Sequence, residues 1–409
     1  MMPFTEHNLM REYHQSGDKI VLLVMDGLGG LPLESDGKTE LESAHKPNLD
    51  ALAAGGSCGL SIPVRLGIEP GSGPAHLSLF SYDPIQYEIG RGVLEAMGIG
   101  FELTEHDLAA RGNFATAAAD GTITDRRAGR INTDECIRIT AKLQAATADL
   151  LPGYQIFVQP VQEHRFVLVI RGAGLGGALT ETDPGVTGKP PLPVEDTSGT
   201  AAGQHTTELV NRWVAKARET LADEPKANTV NLRGLAKDPG LPQLRDIYGL
   251  KAAAIAVYPM YKGVARLVGM EVVNFAGDRP HHEIAALEKA WNDYDFFFIH
   301  VKKTDSYGED GNFAAKAHEI EAVDAVIPRI LALQPGSLIV TGDHSTPAKL
   351  RSHSWHPVPT LLWSPRAMPD AVQSFGERTC ATGQLGLFHA TNLLPLAMAH
   401  AGRLKRFGA

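Results

Sequence analysis

Three aspartates stand just beyond apolar runs that read as buried strands. Asp26 follows KIVLLVM, Asp305 follows FFFIHVKKT, and Asp343, with His344 beside it, follows SLIVTG; His353 comes a short loop later. A carboxylate at the end of such a strand lies on the carboxyl edge of a parallel sheet, where open α/β folds bind ligands. Carboxylates and imidazoles converging on one edge suit hard or borderline divalent cations. Between the first aspartate and the others lies Pro70-Gly71-Ser72-Gly73-Pro74-Ala75-His76, which puts a serine at an expected helix start. Backbone N–H groups and the helix dipole favour an anion there. Metal ligands together with such a serine point to an enzyme of covalent phosphoryl transfer.

These residues need a sheet to hold them. KIVLLVMD (19–26), ANTVNLRG (227–234), AAAIAVY (252–258), DFFFIHVK (295–302), SLIVTGD (337–343) and PTLLWS (359–364) are continuous apolar runs, the mark of strands buried on both faces. Between them lie the helical patterns TTELVNRWVAKARETLA, YKGVARLVGM, HEIAALEKAWNDY and FAAKAHEIEAVDAVIPRILAL. The alternation predicts an α/β fold with a mostly parallel sheet flanked by helices. An interruption runs over 112–196. There QIFVQPV (155–161) and RFVLVIRG (165–172) read as an antiparallel hairpin, and a long Gly/Pro/Thr-rich stretch follows. We expect a smaller inserted α+β cap over 112–196, set between core segments 18–111 and 197–409. Residues 1–17 read as a polar, loosely held extension.

Composition narrows the function classes. The 409 residues are 43% hydrophobic, enough for two domains, and a formal net charge of -9 argues against bulk nucleic-acid binding. Cys58, Cys136 and Cys380 are widely spaced with no CxxC, as expected of reduced thiols in the cytoplasm. The opening residues lack the apolar stretch of a signal peptide, and no run is long enough to span a bilayer.

VMDGLGG, KTELESAHKPNLDALAAGG, PGSGPAHLSLFSYDP, GRGVLEAMGIG, GNFAT, DRRAGRI, HRFVLVIRG, Met260-Tyr261-Lys262-Gly263, KKTDSYGEDG and TGDHSTP occur in this order. Together they resemble the cofactor-independent phosphoglycerate mutases of the archaeal type, a branch of the alkaline phosphatase superfamily, from Asp18 to the C-terminus. The resemblance implies an alkaline phosphatase-like core and two divalent metal ions. Asp26, Ser72, Asp343 and His344 match the ligands of one ion, with Ser72 the nucleophile; Asp305 and His353 match the second. Where the family has a histidine four residues after the aspartate, this chain has Glu309. A carboxylate there shifts preference toward Mn²⁺ or Mg²⁺ over Zn²⁺ or Co²⁺. The implied reaction passes phosphate from 2-phosphoglycerate to Ser72 and back to the other hydroxyl, with a closing cap excluding water. Arg126, Arg127, Arg130 and Arg165 on the cap, Arg233 and Lys262 near core strands, and His76 one turn beyond Ser72 are the implied substrate-binding residues. The partner is a small phosphoglycerate, with no nucleic acid and no membrane; homo-oligomerisation is left open.

Plainer readings compete. Asp26-Gly27 alone is an ordinary strand-end turn, Ser72 alone a helix cap, and His76 a structural residue. His356 rivals His353 as a ligand, at least one arginine of 126–130 only faces solvent or pairs with Asp125, and His281-His282 reads as surface. Gly27-Leu28-Gly29-Gly30 lacks the dinucleotide-binding spacing. At the level of function the competitors are a metal-dependent phosphohydrolase or another phosphomutase on the same scaffold, and a non-enzymatic relative. Retained cap motifs argue against the hydrolase, and retained Ser72 against the non-enzyme.

Overall fold

The computed structural model describes residues 6–34 and 37–408. The chain forms two compact units, one from the residues up to Glu88 together with those from Leu241 onward, the other from Ile89–Gly240. Thirteen strands are found among the described residues: β1 (Ile20–Met25), β2 (Ser57–Ile62), β3 (Asp107–Ala117), β4 (Ile123–Asp125), β5 (Gln155–Gln162), β6 (Arg165–Arg171), β7 (Thr229–Lys237), β8 (Ala252–Ala256), β9 (Glu271–Val272), β10 (Phe296–Val301), β11 (Ser337–Thr341), β12 (Val358–Trp363) and β13 (Gly386–His389).

The first unit is built on a sheet of order β13-β2-β12-β11-β1-β10-β8-β9. Its centre is parallel: β1 pairs with β10 on one side and β11 on the other, and β10 pairs with β8. Only β12 runs against its neighbours, β11 and β2. Every residue of β1, β10 and β11 is buried, because helices cover both faces, and this is why IVLLVM and FFFIHV read as unbroken apolar runs. Val21, Leu23, Phe297, Ile299, Leu338 and Val340 share one core with Ile284, Leu287, Ile320 and Ile327 from the helices. Each such side chain contributes about 1.5–3 kcal/mol on burial, so a charge at Val21 or Phe297 would unseat the strands that carry the aspartates.

Two expectations for this unit need correction. Residues 6–17 are not a loose extension: the helix Glu6–Tyr13 buries His7 and Met10, and the His7 ring packs on Tyr82, Tyr87 and Tyr248. Residues 1–5 lie outside the described set. The long pattern FAAKAHEIEAVDAVIPRILAL is two helices, Phe313–Asp324 and Ile327–Ala332, with Pro328 in the first turn of the second, where its missing N–H costs nothing.

The second unit is an antiparallel sheet with β3 at its heart, pairing with β6, β7 and, at its end, β4; β5 pairs with β6. The expected hairpin is β5–β6. Alternation divides β3 cleanly: Leu108, Ala110 and Phe114 face a core with Phe166, Leu168, Ile170, Val230 and Leu232. The helices Thr133–Thr147 and Ala201–Leu221 close that core, the second burying Val210, Trp213, Ala217 and Leu221. Asn132 and Thr200 cap them by accepting the amides of Glu135 and Gly203. This unit is wider than the expected 112–196. The run ANTVNLRG becomes β7 of this sheet, not a strand of the parallel one, since it pairs with β3 from Leu108 to Ala115. Arg233 therefore sits on the second unit.

Candidate metal centre

Adjacent parallel strands β11, β1 and β10 end at one edge and deliver the aspartates there. Asp26 follows β1 directly, Asp343 and His344 lie two and three residues past β11, and Asp305 lies on the short helix Lys303–Glu309 after β10. The turn after Asp26 must be tight. Gly27 has φ +64°, and a Cβ there would come within 2.8 Å of Asp305 Oδ1 and closer still to Thr346 Oγ1. Only glycine lets the loops meet.

Asp26, Asp343 and His344 form an inner group with one donor atom from each lying within 4.8 Å of the others, all three residues fully buried. His344 Nε2 lies 3.4 Å from Asp26 Oδ1, 3.1 Å from Asp343 Oδ2 and 3.1 Å from the Ser72 hydroxyl. Ser72 opens the helix Ser72–Leu79, half-buried, as its motif predicts. The Thr346 hydroxyl donates to Asp305 Oδ1 at 2.7 Å, so it accepts from His344 Nδ1 at 3.0 Å. That leaves Nε2 aimed at the two carboxylates and the serine. Asp26 Oδ1 and Asp343 Oδ2 are buried and have no hydrogen-bond partner among the described residues. Buried carboxylate oxygens without a donor are costly, and a divalent cation would satisfy both; the donor set fits one. Burial opposes charge on His344, but the Asp343, Asp26 and Asp305 carboxylates outweigh it and lift the imidazole to about 9. Burial would raise Asp26, yet Lys302, His300 and His344 hold it well below the usual carboxylate range.

A second, outer group joins Asp305 and His353 to the same His344. His353 Nδ1–H donates to the Pro70 carbonyl at 3.0 Å, which turns Nε2 toward Asp305 Oδ1 at 3.6 Å. A carbonyl that fixes the tautomer in this way is a common support for a ligating imidazole. Glu309, one helical turn after Asp305, brings Oε1 to 3.9 Å from His353 Nε2, with its side chain 55% exposed. Burial and the Asp305 carboxylate raise its pKa. His356 points elsewhere, its Nδ1 bonded to the Ser354 hydroxyl.

Sequence reasoning missed three side chains that back this edge. Lys302 Nζ donates to Asp305 Oδ2 at 2.5 Å and Asp26 Oδ2 at 3.0 Å, tying the groups together. The Tyr261 hydroxyl also donates to Asp26 Oδ2, and His300 Nε2 lies 3.3 Å from that oxygen. The His300 and Tyr261 rings stack at 3.6 Å. A polar residue in FFFIHVKK was the available signal. His76 needs correction: it is completely buried, its Nδ1–H bonded to the Ser72 carbonyl and 3.4 Å from Asp343 Oδ2, so it supports Ser72 from behind and has no exposed surface. Lys262, next to Tyr261, is half-buried.

In the second unit the arginines separate. Arg126 is held by Asp183 through Nε at 3.0 Å and Nη2 at 2.7 Å, and Arg233 Nε donates to Glu181 at 3.2 Å; both acids come from the Gly/Pro/Thr-rich stretch. Asp125 pairs with no arginine side chain among the described residues; it accepts the amides of Arg127 and Gly129. Arg127 and Arg130 are exposed, and Ala128, Gly129 and Arg130 all have positive φ, a left-handed turn that costs roughly 1–2 kcal/mol at each non-glycine residue. Strain of this kind collects at functional sites. On the face of the sheet opposite its core, Arg111 pairs across strands with Arg233, and Asn113 with both Arg165 and Asn231. Arg111 Nε, Arg165 Nε, Asn113 Oδ1 and both amide atoms of Asn231 are buried without hydrogen-bond partners among the described residues. His164 beside them is pushed down to about 4 by burial and by Arg165, and so is neutral.

Residues 53–227 match the family model for 2,3-bisphosphoglycerate-independent phosphoglycerate mutase. A protein of Aquifex aeolicus described as "Probable 2,3-bisphosphoglycerate-independent phosphoglycerate mutase" is 49% identical over 97% of this chain and 98% of its own length. A protein of Thermus thermophilus with the same description is 50% identical over 96% of each chain. Among solved structures, the cofactor-independent phosphoglycerate mutase of Thermoplasma acidophilum is 30% identical with a TM-score of 0.72, covering 94% of this chain and 100% of that one. The PH0037 protein of Pyrococcus horikoshii is 30% identical with a TM-score of 0.80, covering 97% and 100%. On identity and coverage, and with the motifs set on one sheet edge as described, the chain belongs to the 2,3-bisphosphoglycerate-independent phosphoglycerate mutase family.

Proposed function

We propose that this chain interconverts 2- and 3-phosphoglycerate without bisphosphoglycerate, passing the phosphoryl group through Ser72. The observation that carries this reading is Ser72 Oγ at 3.1 Å from His344 Nε2, at the head of a helix and beside two buried carboxylate oxygens that lack partners. Asp26, Asp343, His344 and Ser72 would hold one divalent cation, and Asp305, His353 and Glu309 a second. Bound there, such cations lower the pKa of the serine and neutralise phosphoryl charge. Carboxylate-rich ligation with two imidazoles favours Mn²⁺, ahead of Mg²⁺, Co²⁺ or Zn²⁺.

The chain's own residues do the rest. Ser72 Oγ forms a bond to phosphorus as the bond to the glycerate oxygen breaks. The phosphoserine then gives the group to the other glycerate hydroxyl, restoring the serine. Amides at the start of the Ser72–Leu79 helix favour the phosphoryl anion. In the second unit Arg165, Arg233, Arg127 and Arg130, with Arg111, Asn113 and Asn231 added, are the proposed contacts for the carboxylate and hydroxyls of glycerate, since guanidinium suits carboxylate bidentately; in the first unit Lys262 is a proposed substrate-binding residue. Arg126 holds Asp183 and serves them from behind. Ile89–Gly240 is the proposed substrate-binding cap. Buried, unpaired Cys58, Cys136 and Cys380 support a cytoplasmic setting.

The test incubates the chain with Mn²⁺ and 3-phosphoglycerate, without bisphosphoglycerate, and follows 2-phosphoglycerate and free phosphate together. Formation of 2-phosphoglycerate without phosphate release is expected. Stoichiometric phosphate release would make the chain a phosphohydrolase, and undiminished turnover after exhaustive chelation would remove the metals from the reading.

A further inference from the structure

Lys316 lies on the helix Phe313–Asp324 and is completely buried. An ammonium has three donors and no acceptor. Here Nζ donates to three backbone carbonyls, those of Gly27 at 2.8 Å, Gly29 at 3.1 Å and Thr346 at 2.8 Å. No carboxylate lies within ion-pair distance of it among the described residues; Glu40 and Glu377 act on it only from further away, while burial pulls its pKa down.

The three carbonyls belong to two loops, and both loops carry proposed metal ligands. Gly27 and Gly29 follow Asp26, and Thr346 follows Asp343-His344. The Thr346 amide bonds the same Gly27 and Gly29 carbonyls, at 3.2 and 3.0 Å. Thr346 is also the residue whose hydroxyl joins His344 to Asp305. Just beyond, two acidic side chains take one amide from each loop: half-buried Glu377 accepts Gly30 N at 2.8 Å, and buried Glu40 accepts Ala348 N at 2.7 Å. Backbone carbonyls converging on a cation are also among the ligands with which proteins hold hard metal ions.

We propose that Lys316 is a positioning residue for the metal centre, a built-in cation that locks the loop after β1 to the loop after β11 and thereby sets the separation of Asp26 from Asp343 and His344. The inference rests on the reading that these residues bind divalent cations. Its consequence is specific. Without the ammonium, three buried carbonyls lose their donor, the loops part, and the inner ligands no longer converge. The helix Phe313–Asp324 and the sheet, held by a large apolar core, remain.

The test measures Mn²⁺ binding to the full chain, by the electron paramagnetic resonance signal of free Mn²⁺, for the parent, Lys316→Met, Lys316→Gln and Val372→Ala. Val372 is a buried core residue outside both loops, and its truncation reports what loss of stability alone does to binding. Thermal melting of the metal-free proteins is recorded beside it. Lys316→Met is expected to weaken Mn²⁺ binding at least tenfold, Lys316→Gln less because its amide still donates, and Val372→Ala not at all. Should Lys316→Met not fold, Lys316→Gln carries the comparison. Parent-like Mn²⁺ affinity in a folded Lys316 variant overturns the inference alone, as does an equal loss in Val372→Ala. A parent that binds no divalent cation overturns the functional reading and the inference with it.

Discussion

The inner and outer ligand groups share His344 but are built differently. Asp26, Asp343 and His344 are wholly buried, each just past a central parallel strand, and backed by His300, Tyr261 and His76. Asp305 is buried too, but the two companions it does not share with the inner group are not: His353 comes from a loop with 19% of its side chain exposed, and Glu309 is 55% exposed. The inner group is set by the sheet and cannot relax. The outer group hangs on a short helix and a loop, where a ligand can be exchanged without disturbing the core. An exposed carboxylate such as Glu309 is readily placed in the outer group and would be hard to accommodate in the inner one.

The largest effect should come from the inner edge. Ser72→Ala removes the proposed phosphoryl acceptor, and exchange between 2- and 3-phosphoglycerate should fall on the order of 10³-fold or more. The variant's circular dichroism should match the parent, since Gly71, not Ser72, is the cap residue of the helix, and the Ser72 hydroxyl bonds His344 rather than the helix backbone. A mutase rate within tenfold of the parent would exclude transfer through this serine.

The outer group should tolerate more. Glu309→Ala should cost at least about 10–100-fold in metal affinity or rate, the range found already for loss of a group that only supports a ligand. Glu309→His should keep activity and move preference toward Zn²⁺ or Co²⁺, because a neutral nitrogen replaces a charged oxygen. Metal titrations of both variants check this. A Glu309→Ala protein with parent affinity and rate would show that the carboxylate stays in solvent, and the contrast between the groups would then be one of four proposed ligands against two.

How much of this is legible in the sequence follows the same division. Asp26, Asp343 and His344 stand out because a charged or imidazole side chain closing an unbroken apolar run marks the edge of a buried sheet, and Ser72 because PGSGPAH starts a helix. His300 is hidden: one histidine inside FFFIHV reads as a satisfied core residue, and only the strand register, Val24 opposite His300, brings it to Asp26. Tyr261 and Lys302 act through tertiary contacts that spacing does not encode. In the second unit, Arg111 and Asn113 do carry a signal, two polar residues at period two within DLAARGNFATA, against Leu108, Ala110 and Phe114 on the other face. ANTVNLRG shows the limit. An apolar run identifies a strand but not its partners, so the run alone puts β7 in the wrong sheet and Arg233 with it.

Those arginines give a third, intermediate prediction. Arg111→Met and Arg165→Ala each remove a guanidinium with a buried, unpartnered Nε, and each should raise KM about 10–100-fold, the worth of a hydrogen bond to a charged group. Arg126→Ala should act less directly, by releasing Asp183 toward Arg233, whose Nε is already 3.7 Å away. Steady-state kinetics that change kcat alone for Arg111 and Arg165 would remove them from substrate binding.

The smallest effect probes what stands behind the inner group. Glu377 is half-buried, with its carboxyl against Gly30 and Thr39, and burial raises that carboxyl from 4.5 to about 7. With the folded pKa above the unfolded one, the protonated form is the one folding favours. Its stabilising contribution is complete below pH 4.5 and is lost as pH rises through 7. Glu377→Gln keeps an acceptor for the Gly30 amide, and its NH₂ can donate to the Thr39 hydroxyl in place of the bond it received. The variant should therefore match the parent near pH 4.5 and gain on it up to about pH 7, by a few kcal/mol at most at about 1.4 kcal/mol per pKa unit. Above pH 7 the two stability curves should run parallel. Urea unfolding of the metal-free proteins across this range is the measurement, and a constant difference between the curves would mean that Glu377 enters the fold already charged, with Lys316 as its distant counter-ion.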